Sequence, residues 1–169
     1  MTDPSSSAPT AYLLVGLPGS GKSTYARRLE DQGVIRLSVD EVLAQRHGRY
    51  GIDYPHPRHG ELQAPILAEL TDRMVTLLRE GRSVAFDHGL WTRANRDAYK
   101  KLVHDAGASW TLLYFAAPKD VLLARLSQRN TEADDNAEVL NISPGALDDF
   151  YSRFEEPTAD EAAEIVPQI

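Results

Sequence analysis

The 169-residue sequence contains no cysteine. Disulfide bridges, thiolate catalysis and cysteine-ligated zinc are therefore excluded. The sequence also lacks any apolar run near the roughly 20 residues that a membrane-spanning helix needs. Positive charge is scarce, because 18 Lys and Arg residues face 25 Asp and Glu residues, a formal net charge of −7. An acidic chain repels phosphate backbones, so nonspecific binding to nucleic acid is disfavoured.

The remaining composition is that of an ordinary globular protein, with 42% hydrophobic and 25% charged residues. The first ten residues, MTDPSSSAPT, have neither the basic region nor the apolar segment of a secretory signal. We expect residues 1–9 to form a disordered tail and residues 10–169 to form a single domain. The absence of cysteine fits a reducing compartment, so a cytoplasmic location without a membrane partner is expected.

Apolar runs alternate along the chain with segments of helical periodicity. Strands are predicted at residues 11–15, 34–38, 83–87, 110–117 and 164–166, and helices at 22–31, 41–47, 61–80, 93–105, 119–128 and 144–154. Continuous apolar runs are typical of strands that are buried on both faces, as in parallel sheets. The alternation therefore predicts an α/β sandwich. The acidic segment 130–141 has little pattern and predicts a loop or a mobile cap.

The segment GLPGSGKST, residues 16–24, fits the pattern G-x-x-x-x-G-K-S between a predicted strand and a predicted helix. Its glycines allow backbone N–H groups to cradle phosphates, Lys22 would reach the β- and γ-phosphates, and the Ser23 hydroxyl would ligate Mg²⁺. We call this segment the phosphate loop. The candidate nucleotide-binding residues in it are Gly16, Pro18, Gly19, Ser20, Gly21, Lys22, Ser23 and Thr24.

Asp40 follows the second predicted strand, in the segment SVDE. Ser38 and Glu41 have the spacing of a capping box, which puts Asp40 in the first turn of a helix. The helix dipole there favours an ionised carboxylate. Such a carboxylate could take a proton from a hydroxyl that attacks the γ-phosphate, but helix-end electrostatics alone would explain it equally well.

Asp87 ends the third predicted strand, and an acid that finishes a buried strand needs a partner. We expect it to serve Mg²⁺ or to hold a substrate hydroxyl. Trp91 follows closely and either stacks on a substrate or packs in the core. Arg93 is a candidate acceptor contact, although for Arg93 and Arg96 a solvated helix charge is the favoured interpretation. Thr92 is expected to cap the next helix.

Arg125 and Arg129 lie four residues apart on one face of a predicted helix, just before the acidic segment. Phosphoryl transfer needs cations beside the γ-phosphate, so we favour a catalytic role for both over two solvated charges at a helix end. His56 and His59 have no acidic or cysteine companion at ligand spacing, so no metal site is expected there.

The segments GLPGSGKST, LSVDE, VAFDHGLWTRANRD, ARLSQRN and FEEP together resemble the P-loop kinase family that includes zeta toxins, chloramphenicol phosphotransferase and the kinase domain of bacteriophage polynucleotide kinase. Small bacterial kinases named "AAA family ATPase" are similar as well. The resemblance spans about residues 12–161. It implies a three-layer fold, with a five-stranded parallel sheet in the order 2-3-1-4-5, helices on both faces and a short lid at about 129–142.

The same resemblance implies ATP and Mg²⁺ as cofactors and phosphoryl transfer to a hydroxyl. It makes Asp40 the general base and puts Arg125 and Arg129 on the phosphates. The segment around Pro157 would lie near the adenine.

One position departs from the polynucleotide kinase, in which an arginine three residues after the base helps to position the acceptor. Leu43 stands there in this sequence. With the acidic net charge, this favours a small-molecule acceptor over a polynucleotide end. A polynucleotide 5′-hydroxyl kinase, a toxin-like nucleotide-sugar kinase and an ATP-binding protein with a regulatory role remain the alternatives. A GTPase switch is disfavoured, because the N-K-x-D motif that reads guanine is absent.

Overall fold

A five-stranded sheet forms the centre of the computed structural model, which describes residues 7–50, 52–132 and 143–167. Every strand pairing is parallel and the spatial order is 2-3-1-4-5, which confirms the predicted fold. The strands are β1 (Thr10–Val15), β2 (Ile35–Ser38), β3 (Val84–Asp87), β4 (Ser109–Tyr114) and β5 (Glu164–Ile165).

Six α-helices connect or follow the strands within the described ranges: α1 (Lys22–Asp31), α2 (Val39–His47), α3 (His59–Arg79), α4 (Arg93–Asp105), α5 (Lys119–Glu132) and α6 (Pro144–Arg153). Short 3₁₀ turns lie at His56–Arg58 and Ala159–Glu161. Hydroxyl side chains cap three of the helices, since Ser38, Thr92 and Ser143 accept backbone N–H bonds at 3.2, 3.2 and 3.1 Å. The predicted caps at Ser38 and Thr92 are therefore confirmed.

Helices cover both faces of the sheet and give the molecule three layers. On one face, Ala26 and Leu29 of α1 pack against Leu14 and Leu113 of the central strands. On the other face, the larger core includes residues of every remaining helix, such as Met74 of α3, Val103 of α4 and Leu122 of α5. The parallel strands thus present their carboxyl ends, and the loops that follow them, along one edge of the sheet.

Strand β4 is shorter than the predicted 110–117. It ends at Tyr114, because its neighbour β1 turns away after Val15 into the phosphate loop and leaves no partner for a longer ladder. One further bond, from the Phe115 N–H to the Val15 carbonyl at 2.8 Å, closes the pairing. The apolar sequence continues past this point, and the sequence pattern therefore predicts a longer strand than the one that forms.

The predicted tail and lid fall largely outside the described residues. Residues 1–6 are not described, whereas Pro9 accepts a bond from the Ser109 N–H at 3.0 Å, so sheet contacts begin at residue 9. Helix α5 extends to Glu132, four residues beyond the predicted helix end, and the rest of the proposed lid, 133–142, lies outside the described ranges. Over the residues that are described, no helix is both long and apolar enough to cross a membrane.

Arg96 is fully buried, so its interpretation as a solvated helix charge is wrong. Its Nε donates to the equally buried Glu161 at 2.6 Å, and its Nη1 donates to the carbonyls of Leu90 and Trp91 at 3.0 and 3.2 Å. Glu161 lies after α6, so this ion pair joins α4, the loop after β3 and the C-terminal segment. Burial of both charges is tolerable only because each meets a partner.

Replacing Arg96 with methionine should leave Glu161 buried without a cation. We expect Arg96→Met to lose about 3–5 kcal/mol of unfolding free energy, measured by urea denaturation. Arg96→Met combined with Glu161→Leu should be more stable than the single variant, since the orphan charge is gone. Lys101→Ala, at an exposed ion pair with Asp105, is the control. An Arg96→Met variant no less stable than this control would contradict the assigned role.

Candidate active site

The phosphate loop is fastened at its first residue to the loop that follows β3. The Gly16 N–H donates to the Gly89 carbonyl at 3.1 Å, and the Gly16 carbonyl accepts from Trp91 Nε1 at 3.3 Å. A Cβ added at Gly16 would lie 2.6 Å from Ser20 Oγ and 3.2 Å from the Phe115 carbonyl, so a larger residue would require both neighbours to shift. Glycine allows the phosphate loop to pass close to the backbone after β4.

Two cations contact the phosphate loop. Lys22 Nζ donates to the Leu17 carbonyl at 3.0 Å and lies 3.5 Å from the Ser20 hydroxyl. Arg125, on α5, donates from Nη1 to the Gly19 carbonyl at 3.1 Å. A residue 106 positions away in sequence thus lies against the loop, and its contact with phosphates stays a prediction. Arg129 lies on the same helix, but its side chain is outside the described part of the structure.

A cavity of about 770 Å³ opens along the phosphate loop. Five of the predicted catalytic, metal or acceptor residues line it: Lys22, Ser23, Asp40, Asp87 and Trp91. The loop residues Gly16, Pro18, Gly19 and Gly21 line it as well. Of the other predicted loop residues, Ser20 is buried and Thr24 is exposed. The cavity thus brings the phosphate loop together with the carboxylates of Asp40 and Asp87, and Asp149 of α6 is a third carboxylate in its lining.

Asp87 is paired with a buried arginine. Its Oδ2 accepts from Nε and Nη2 of Arg36 at 3.3 and 3.2 Å, and both side chains are only 5% exposed. Arg36 also donates from Nη1 to Glu41 Oε2 at 2.8 Å. Glu41 belongs to the first turn of α2, next to Asp40. One guanidinium therefore contacts Asp87 directly and reaches the turn that carries Asp40 through Glu41. The role of Asp87 toward metal or acceptor stays a prediction.

Asp40 lies in the first turn of α2, half-buried, and lines the cavity. Ser38 caps this helix, so the chain turns directly from the end of β2 into the turn that carries the carboxylate. Burial and the charge of Asp40 together raise the pKa of Tyr54 to about 12. The charge of Asp40 thus influences Tyr54, whose hydroxyl lies beside His59, a residue that lines the cavity.

Two histidines that sequence analysis gave no role line the same cavity. Burial, with the nearby charge of Lys22, lowers the pKa of His88 to about 4, against an opposing effect of Asp87. His59 lies on α3, where its Nδ1 is 3.2 Å from the Tyr54 hydroxyl and its Nε2 is 3.4 Å from Gln63 Nε2. In the sequence, the position of His88 directly after Asp87 indicates that it lies near the site. No sequence pattern indicates this for His59, because the packing of α3 in the folded protein brings it to the cavity.

Trp91 both packs and lines the cavity. Its ring centroid is 5.0 Å from that of Phe150 on α6, and the guanidinium of Arg153 lies 5.6 Å from the Trp91 centroid. Arg153 Nη2 also pairs with Asp149 Oδ2 at 2.5 Å. Helix α6 therefore closes one side of the cavity through the contacts of Phe150 and Arg153 with Trp91.

Arg93 lies outside the set of residues that line the cavity. Its guanidinium bonds to Asp160 and Thr158 and pairs with Asp97. It holds the segment after α6 against α4, so its predicted contact with the acceptor has no support from this geometry. Pro157 lies in that held segment. Its neighbour Glu156 lines a second cavity of about 360 Å³, and the proximity of Pro157 to adenine stays a prediction.

The residues present fit Mg²⁺ and a nucleoside triphosphate. Ser23 and Asp87 offer oxygen donors to one cavity, and Mg²⁺ in proteins is commonly held by one or two such groups together with phosphates and water. Within the described ranges, no group of three or more His, Asp or Glu side chains could hold a metal alone. A metal bound here would therefore depend on phosphate oxygens for part of its coordination.

The lowered pKa of His88 predicts a stability that falls on acidification. The unfolded chain takes up a proton on this residue at about pH 6.5, whereas the folded chain does so only at about pH 4. The unfolding free energy should therefore decrease as pH falls from 6.5 to 4, and His88→Asn should reduce that loss. Urea denaturation at pH 7 and pH 5 measures it. His104→Asn, at an exposed histidine of α4, is the control, and equal pH dependence in the two variants would contradict the prediction.

Comparison with known proteins gives the fold its context. A UPF0200 protein of Halobacterium salinarum is 28% identical over 144 residues, which cover 75% of this chain and 69% of that protein. A Chloroflexus aurantiacus protein provisionally described as a kinase superposes with a TM-score of 0.73 at 19% identity, over 95% of this chain and 87% of that chain. A gluconokinase from Sinorhizobium meliloti 1021 superposes with a TM-score of 0.59 at 17% identity, over 94% of this chain and 81% of that chain.

A chain of the Pnkp1/Rnl/Hen1 RNA repair complex gives a TM-score of 0.67 at 22% identity, over 86% of this chain but only 43% of that chain. These likenesses show a fold shared with P-loop kinases. The AAA domain family matches residues 12–157, most of the sequence and every element from β1 to α6. The chain therefore belongs to the AAA domain family.

Proposed function

We propose that the protein is an ATP- and Mg²⁺-dependent phosphotransferase that moves the γ-phosphate to a hydroxyl of a small molecule. One observation carries the proposal: Lys22 and Ser23 of the phosphate loop line the same cavity as Asp40. A phosphate cradle and a candidate base that share one cavity suit transfer to an acceptor better than binding alone. The kinase fold and the gluconokinase likeness agree with this choice.

In the proposed reaction, the acceptor hydroxyl oxygen forms a bond to the γ-phosphorus. The bond from that phosphorus to the β–γ bridging oxygen breaks, and its electron pair leaves with ADP. The hydroxyl proton passes to Asp40 and then to water. Lys22 and Arg125 would offset the charge that spreads over the phosphoryl oxygens. Bound Mg²⁺, held through Ser23 and Asp87, would supply further charge neutralisation at the phosphates.

The cavity is closed on one side by α6, whose Phe150 and Arg153 pack against Trp91. Closure of this kind limits the access of water and favours transfer to an alcohol over hydrolysis. This supports a kinase over an ATPase whose role is regulatory. The second cavity, lined by Tyr114, Phe154 and Glu156, lies beside the segment of Pro157 and is the candidate adenine site.

A polynucleotide 5′-hydroxyl kinase is the second candidate, since the RNA repair complex is among the structural likenesses. Two observations weigh against it. Leu43 is 1% exposed and belongs to the core, so the position that carries an acceptor-binding arginine in polynucleotide kinase is closed here. The net charge of −7 also opposes a polyanionic acceptor.

Asp40→Asn should lower kcat for phosphoryl transfer by about 10²–10⁴-fold, because the amide cannot accept the hydroxyl proton. ATP affinity should be unchanged, since the residue contacts the acceptor. Acceptor-dependent ADP release measures the first quantity and equilibrium binding the second. Asp72→Asn, at an exposed carboxylate on α3, is the matched control. Undiminished transfer by Asp40→Asn would overturn the assignment of the base.

Lys22→Ala should weaken ATP binding by about 10- to 100-fold, the equivalent of one charge-assisted hydrogen bond to phosphate. Calorimetric titration with a non-hydrolysable ATP analogue and Mg²⁺ measures the effect. Lys101→Ala, at an exposed lysine of α4, removes the same charge away from the cavity and should bind normally. Equal affinity in the two variants would contradict the nucleotide site itself.

A further inference from the structure

The side chains that line the large cavity outside the phosphate loop form a surface that we call the acceptor wall. Its hydrogen-bonding groups include the imidazoles of His59 and His88 and the amides of Gln63 and Asn95, beside the charged side chains of Asp40, Asp87, Asp149 and Arg153. His59 and Gln63 lie one turn apart on α3, with their Nε2 atoms 3.4 Å from each other. Imidazole and amide groups offer donors and acceptors together, which is what a hydroxyl requires.

The charges of the acceptor wall are unfavourable for an anion. Arg153 is the cation among its described residues, and it is paired with Asp149 and stacked over Trp91. Asp40 adds a negative charge where the acceptor would lie. A carboxylate or phosphate on the acceptor would be repelled both by Asp40 and by a bound triphosphate.

The wall also has an apolar side. Leu67, Trp91 and Phe150 line the cavity, and the two aromatic rings lie 5.0 Å apart. The C–H face of a saturated ring packs well against aromatic carbon, while its hydroxyls project toward polar groups. Apolar surface combined with a few placed polar groups is the usual make-up of small-molecule sites, in which the polar groups fix the orientation of the ligand.

We propose that the acceptor is an uncharged, polyhydroxylated ring compound of monosaccharide size, a free sugar or a cyclitol. The cavity, at about 770 Å³, is large enough for the end of a triphosphate and such a compact acceptor together. This inference rests on the proposed phosphotransferase function. The transfer is the one described above: the acceptor oxygen bonds to phosphorus, the bridging bond breaks with its electrons on ADP, and Asp40 takes the proton.

The test uses the full chain with Mg²⁺ and ATP. The uncharged probes D-glucose, D-galactose and myo-inositol are paired with the anionic ring compounds D-glucuronate, D-galacturonate and myo-inositol 1-phosphate. A 5′-hydroxyl oligonucleotide and UDP-N-acetylglucosamine complete the panel. ADP release and mass spectrometry of the product are followed. We expect at least one uncharged member to be phosphorylated with a KM at least tenfold below that of its anionic counterpart, a difference of about 1.4 kcal/mol.

Gln63→Lys tests the wall directly, because it introduces a cation beside His59. The ratio of kcat/KM for uncharged over anionic acceptors should fall at least tenfold, with KM for ATP unchanged. Gln32→Lys makes the same change at the exposed end of α1 and should leave the ratio unaltered. An unchanged ratio in Gln63→Lys would overturn the assignment of this residue to the acceptor wall.

The remaining outcomes distinguish a failure of the uncharged-acceptor proposal from a failure of the proposed phosphotransferase function. Preference for an anionic member, or phosphorylation of the oligonucleotide or nucleotide sugar alone, overturns the uncharged acceptor but leaves an Asp40-dependent kinase. ADP release that no acceptor changes and that Asp40→Asn does not reduce overturns both. Phosphorylation of an uncharged member that persists in Asp40→Asn supports the acceptor class and contradicts the base.

Discussion

The buried ion pair between Arg96 and Glu161 is the interaction on which the rest of the site depends. It fixes the carbonyls of Leu90 and Trp91, and Leu90 itself has a positive φ of 45°, a conformation that a leucine adopts only when its surroundings hold it. The same loop bonds both sides of Gly16 through Gly89 and Trp91. The geometry of the phosphate loop is thus continuous with a salt bridge in the first turn of α4. A substitution in that ion pair would therefore alter the geometry of the phosphate loop, although neither residue contacts the loop directly.

A second buried guanidinium organises the acids. Arg36 on β2 meets Asp87 on β3, the neighbouring strand, and Glu41 in the turn that carries Asp40. Charges removed from water need fixed partners. Asp87 and Glu41 are therefore held together through Arg36, and Glu41 keeps the first turn of α2, with Asp40, beside the end of β3. A fixed arrangement of this kind is what a preorganised site for the proposed transfer requires.

The elements that sequence predicted well are those specified by local pattern. Residues 16–24 carry their own glycine spacing, Ser38 and Thr92 mark helix starts, and apolar runs mark the strands. The boundary of β4 was missed because a strand ends where its partner ends, and the partner is distant in sequence. Arg36 and Asp87 are 51 residues apart, and Arg96 and Glu161 are 65 apart, so no periodicity could pair them. The family resemblance supplied the strand order, which residue patterns alone left open.

The burial of Leu43 has a consequence for how this protein could change its specificity during evolution. An arginine at that position would enter a packed core and be penalised before it could offer any benefit, since an unpaired buried cation is costly. Gln63 and Asn95 carry no such penalty, because they lie at the edge of open space. New acceptors are therefore more accessible through single substitutions on α3 and α4 than through the position that polynucleotide kinases use. The fold thus permits new acceptor contacts at Gln63 and Asn95 and disfavours them at Leu43.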